Sequence, residues 1–232
     1  MLFTRIARFT LPLFAALTIS ACVQVEQTLT LLPDGSGTLS VQYGMKLETI
    51  ADLEARAKHE AEASGEEMPT PMSFDPEQVR EDFKDYEPLG ITLEEARSHE
   101  KDGFKYILMK MRFTSLAALA QTEFLSDRNI QVRRVSEGVY EFRQLAPPNG
   151  AAEMEEMRDM MRELLAGFRA SLTVAVPGAV RETNADEQPD GRSARWVFDL
   201  EKDPEALIRA QKMDLRIVFA ADGPGLPEFP AR

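Results

Sequence analysis

The chain is poor in the residues on which most site chemistry rests. Of 232 residues, one is cysteine, two are histidine and one is tryptophan. A single cysteine excludes an internal disulfide framework and any cysteine-cluster metal site. His59 and His99 lie in charged stretches, and neither belongs to H-E-x-x-H or a comparable ligand pair. Basic residues are also scarce, 27 Lys and Arg against 39 Asp and Glu, for a net charge of −12. No basic stripe is available to neutralise phosphates, which argues against a nucleic-acid partner. There is no G-x-S-x-G nucleophile elbow, no P-loop and no G-x-G-x-x-G signature. No apolar run reaches the ~20 residues of a membrane-spanning helix. The sequence thus assigns no catalytic residue, no metal ligand and no cofactor. The carboxylate pairs Glu94-Glu95 and Glu155-Glu156 are adjacent in sequence, and adjacent side chains do not converge on one substrate. A hydrolase built on two distant carboxylates is the weakest of the functional readings.

What is present begins with a targeting segment, residues 1–21. Arg5 and Arg8 form a short basic region, and Phe9 to Ala21 carries no charge. This is the layout of a secretory signal, too short for a transmembrane anchor. It ends in Ile19-Ser20-Ala21-Cys22, which resembles the bacterial lipobox. The resemblance implies cleavage before Cys22 and a thioether-linked diacylglycerol on its sulfur, usually with a third acyl chain on the new amine. Two or three long chains, at about 0.8 kcal/mol per buried methylene, make a firm anchor. Removal of two arginines with the signal takes the net charge from −12 to −14, so the lipid rather than the protein face holds the body at an anionic membrane. Val23 rather than aspartate follows the cysteine. By analogy with lipoprotein sorting, this favours the outer membrane where the envelope has two.

The remainder reads as one α+β domain over residues 22–220, with a disordered Pro- and Gly-rich tail over 221–232. Val23, Val25, Leu29 and Leu31 alternate, as do Leu39, Val41, Tyr43 and Met45, around Asp34-Gly35-Ser36-Gly37. That is a β-hairpin, with the glycines serving its turn. Lys46 to about Ala63 is helical by spacing, and Asp75-Pro76-Glu77 caps a second helix. Further hairpins turn at Asp102-Gly103 and Glu137-Gly138, and strands follow around Val174, Trp196 and Ile217. Pro147-Pro148-Asn149-Gly150 is the best candidate for an internal boundary, near 147–150. Ala151 to Phe168 is the clearest helix. The expected fold is antiparallel hairpins in one or two sheets, with four or five helices packed on them.

Two regions invite a functional reading. Met154, Met157, Met161 and Phe168 form an apolar stripe, either the face that packs on a sheet or the wall of an adaptable ligand pocket. The stretch from Lys46 to Asp102 holds 17 acidic and seven basic residues. It is either a set of solvated helices or a docking face for a basic partner.

The lipobox cysteine, the valine-rich strand at once after it, the D-G-S-G turn, and later Val176-Pro177-Gly178-Ala179-Val180 with Thr183-Asn184-Ala185, Gly191 and Trp196 together resemble the LppM-like bacterial lipoproteins. That resemblance implies a compact envelope domain with an affinity for lipids or glycolipids, or for envelope or host partners. It supplies no site residue. The expected protein is a non-catalytic, lipid-anchored envelope module that binds a lipid, a glycolipid or another envelope component. The alternative is an assembly lipoprotein that docks a protein through its acidic region. Metabolic labelling with a tagged fatty acid is expected to mark the wild-type chain and to be lost in Cys22→Ser; label that persists in the variant overturns the anchor.

Overall fold

The computed structural model describes residues 23–64, 73–122, 125, 129–146, 167–221 and 226–229. The first hairpin joins β1 (Val23–Leu31) to β2 (Gly37–Lys46). Asp34 accepts hydrogen bonds from the Ser36 backbone N–H (3.0 Å) and hydroxyl (2.6 Å), which closes the turn. β3 (Ile91–Lys101) and β4 (Phe104–Phe113) form the second hairpin. Its loop residues Asp102 and Gly103 both have positive φ, 52° and 77°, as a type I′ turn requires. β2 pairs with β4, and β1 pairs on its other side with β7 (Arg169–Ala175), which pairs with β9 (Ser193–Asp199). The result is a six-stranded sheet in the order β3-β4-β2-β1-β7-β9. A second sheet of four strands has the order β5-β6-β10-β8, built from Asn129–Ser136, Val139–Leu145, Leu215–Ala220 and Val180–Thr183 respectively.

One face of each sheet is apolar, and the two faces pack on each other. Leu29, Leu31, Leu39, Val41, Met111, Phe113, Val174 and Trp196 from the larger sheet join Ile130, Val132, Phe142, Ile217 and Phe219 from the smaller in one continuous buried cluster. The strict alternation of these strands puts every second residue inward. The opposite face of the larger sheet is polar, with Thr28 and Thr30 on β1 facing Ser40 and Thr38 on β2.

The α+β expectation is therefore corrected: the described fold is mainly β, with ten strands in two sheets. Four α-helices lie among the described residues: α1 (Leu47–Ser64), α2 (Pro76–Asp82), α3 (Leu116–Leu119) and α4 (Ala206–Lys212). The physical reason is that a second sheet shares the core with the larger one, and the helices add only a few buried residues to it, such as Val79 of α2 and Leu116 and Leu119 of α3. Residues 51–55 of α1 are all exposed. Nor are all neighbouring strands antiparallel, since β1 and β7 run parallel. The helix expected over Ala151 to Phe168 and the boundary expected near 147–150 lie outside the described residues, apart from Gly167 and Phe168. Part of the tail expected to be disordered is ordered: Leu226 is buried, and Phe229 exchanges two backbone hydrogen bonds with Val132 on β5 (2.8 and 3.1 Å).

On the outer face of the smaller sheet Glu141 is only 3% exposed. Arg133 Nε and Arg216 Nε each donate to one of its oxygens at 2.6 Å, and Arg216 also reaches Glu182 at 3.2 Å. Burial alone would push the Glu141 carboxyl up, but the hydrogen bonds and charges of the two arginines outweigh it and hold the group below its ordinary range.

Two outcomes follow from this architecture. Met111→Ala, at a site with no exposure, is expected to cost about 2–5 kcal/mol in denaturant unfolding, whereas Thr28→Ala on the outer face is expected to change it by less than about 0.5 kcal/mol. A carboxyl held low in the folded state adds stability above its unfolded pKa and loses it as pH falls through the folded one. The thermal midpoint should thus decline on acidification below about pH 5, and Glu141→Gln should flatten that decline. An unchanged pH profile in the variant would remove Glu141 from the account.

Candidate functional site

The smaller sheet does not reach the whole inner face of the larger one. At one end of the larger sheet the inward residues are sealed: Leu29, Leu39, Val174 and Ala194 are buried. At the other end, where β1 begins, Val23, Val25, Tyr43, Ala170 and Leu172 stand on the same face and are only partly buried. Two cavities open there.

The larger encloses about 570 Å³ and is lined by Tyr43 and Met45 of β2, Ile50, Leu53 and Glu54 of α1, residues 73–76 before and at the start of α2, Ser98 of β3 and Lys105 of β4. That volume lies within the range of small-molecule sites. Each wall has a local cause. The Leu47 N–H donates to the Gly103 carbonyl at 3.0 Å, so α1 starts against the β3–β4 turn. Ile50, Leu53 and Glu54, three and four residues apart, then share one helix face. On the opposite wall Ser73 Oγ accepts from Asp75 N–H (3.1 Å), and Asp75 accepts from Glu77 N–H (2.9 Å), capping α2. Arg80 ties α2 to the sheet by donating to the Ala96 carbonyl at 2.8 Å. This brings the Phe74 ring to 5.7 Å from that of Tyr43 and Lys105 Nζ to 5.9 Å from the Phe74 centroid.

The cavity is therefore apolar with a cation at its floor. Lys105 lies on the inward side of β4, opposite Met45, and forms no ion pair among the described residues. Burial pushes the Tyr43 hydroxyl up, so at neutral pH it stays protonated and able to donate. The carboxylates of Glu54 and Asp75 belong to exposed residues, and Asp75 is already engaged as the helix cap. The smaller cavity, about 200 Å³, is lined by Val25, Gln27, Phe168, Leu172, Phe198 and Leu215 among others.

Of the residues singled out from the sequence, Phe168 reaches a cavity wall. Cys22, Met154, Met157 and Met161 lie outside the described residues, as does the segment 1–21. Val23, next to Cys22 in sequence, pairs with Met45 of the larger cavity. The acidic stretch from Lys46 to Asp102 is not confined to one secondary-structure element. Its residues are spread over α1, α2 and β3, and several pair locally, as in Lys46–Glu48, Arg80–Glu77 and Arg97–Glu95. His59 is exposed on α1, and His99 stacks on Tyr106 with ring centroids 5.0 Å apart. Among the described residues, no group of three or more His, Cys, Asp or Glu is placed to hold a metal, and no helix is long and apolar enough to cross a membrane. Sequence reading missed Tyr43, Met45, Phe74 and Lys105 as a group. One signal was available: Lys105 occupies the same parity as Ile107, Met109, Met111 and Phe113, a charge on an otherwise apolar side of a strand.

No protein-family model matches the chain, and no curated protein does. Among solved structures, the chain is similar to the folded domain of Mycobacterium tuberculosis LppM, determined by NMR. The two share 14% identity over 90% of this chain and 96% of that one, with a TM-score of 0.46. The likeness stops short of family membership, and neither fold nor function is taken from it.

Proposed function

We propose that the protein is a lipid-anchored envelope module, without catalytic activity, that holds the apolar part of an amphiphile in the open end of its sandwich. The single observation that carries this reading is the larger cavity: about 570 Å³ of mostly apolar wall with the Lys105 ammonium at its floor. Apolar wall recovers free energy from acyl chains in proportion to the area covered, and a half-buried ammonium favours a phosphate or carboxylate head group. The place of the cavity supports the same reading. Its Met45 pairs with Val23, so the lipid expected on Cys22 would set the cavity at the membrane side of the body. Attachment through Cys22 and residence in the outer membrane belong to this proposal.

A second reading, docking of a protein partner through the acidic region, is favoured by one observation. Leu47 and Leu53 of α1 are 38% and 41% exposed among acidic neighbours.

Native mass spectrometry of the purified full chain tests both. The expected result is about one non-covalent anionic lipid per chain, with affinity reduced about tenfold or more in Lys105→Glu through loss of a charge-assisted contact. Wild-type protein that carries no such lipid and captures a basic protein in a salt-sensitive manner would replace the first reading with the second.

A further inference from the structure

The two cavities are neighbours on one sheet face. Tyr43 lines the larger and Val25 the smaller, and these two residues are directly opposed on β2 and β1. Opposed inward side chains stand about 5 Å apart, so a single cross-strand pair separates the two spaces. The same register carries the face onward in both directions. Met45 is opposite Lys105 on β4, Val25 is opposite Ala170 on β7, and Ala170 is opposite Phe198 on β9. Val25, Tyr43, Ala170 and Lys105 are only partly buried, whereas Met45 and Phe198 between and beyond them are buried, as is Ile107 opposite Tyr43 on β4. β4, β2, β1, β7 and β9 are consecutive in the sheet. Four strand spacings of about 4.8 Å make this floor about 19 Å across. That is close to the ~15 Å that the chains of one lipid span, half of a bilayer's ~30 Å core.

Building on the lipid-binding reading above, we infer that the two cavities are the ends of one trough for a single long-chain anionic amphiphile. Its carboxylate or phosphate sits at Lys105. Its chain crosses beneath β2, β1 and β7, and its methyl end rests against Phe168 and Phe198. Charge sets the direction: Lys105 stands on the inward wall of the larger cavity, with the carboxylates of Glu54 and Asp75 on exposed residues around it, and no Lys or Arg is among the described residues that line the smaller one.

The chain carries its own reporter. Trp196 is the only tryptophan, is fully buried, and lies opposite Leu172 of the smaller cavity. Bromine quenches indole emission only at near contact. The full chain is titrated with stearate brominated either near its methyl end or near its carboxylate, and occupancy is followed independently by native mass spectrometry. Methyl-end bromine is expected to remove most of the Trp196 emission, and carboxylate-end bromine to leave it nearly unchanged. In Ala170→Phe, which narrows the trough midway, binding of a short-chain fatty acid should persist while quenching by the methyl-end probe is lost. Binding without quenching, or stronger quenching by the carboxylate-end probe, overturns the continuous trough and leaves the lipid-binding reading standing. Absence of any stearate binding overturns both. Should Ala170→Phe fail to fold, the two wild-type titrations still decide.

Discussion

Everything distinctive in this molecule follows from a mismatch of cover. A sheet with one apolar face must bury that face, and here a six-stranded sheet is met by one of four strands. In the shared core the large side chains Trp196, Phe113, Phe142 and Phe219 have no measurable exposure. Beyond that core, the same alternating strands continue outward with inward side chains still in place. The periodicity that builds the core thus also builds the floor of the cavities. Site and core are one surface, divided by how far the second sheet extends.

The pieces that frame the open end are held by local, mostly polar devices. α1 is set by one backbone bond to Gly103, and α2 by an Asp75 cap and the Arg80 contact to Ala96. Each such contact contributes on the order of 1 kcal/mol, far less than the buried cluster that locks the sheets together. Stability is therefore concentrated away from the cavities. Core segments open only with the whole fold, while peripheral ones open at lower cost. On the outer face, the Tyr106 ring lies over Gly44, opposite it on the neighbouring strand, so closely that a Cβ at Gly44 would meet the ring. An aromatic here covers backbone that a glycine leaves bare.

The hairpins were legible because their signals are local. Asp34-Gly35, Asp102-Gly103 and Glu137-Gly138 each place glycine where φ is positive, at 83°, 77° and 64°. The flanking strands announce themselves by alternation. The Asp75-Pro76 helix start was equally local. What could not be read was long-range. Nothing in β1 or β7 states that they lie side by side and parallel, and nothing in β6 or β10 states that they share one core with β1 and β2. The α+β class failed on that point: helices were assigned the role of cover that the second sheet performs. The cavity was missed for the same reason. Tyr43 and Met45 read as ordinary inward strand residues, and only their place on a cavity wall distinguishes them from Leu39 and Val41.

The pairing of Phe229 with Val132 has a further consequence. β5 is the outer strand of the smaller sheet, and an unpaired strand edge is a template for association with other chains. Two hydrogen bonds with Phe229 occupy that edge at Val132, and Glu228 accepts another from Arg134 N–H. A chain made from its N-terminus completes β5 nearly a hundred residues before the guard for that edge exists. The β5 edge at Val132 is bare throughout that interval, and it is covered only once Glu228 and Phe229 have been made.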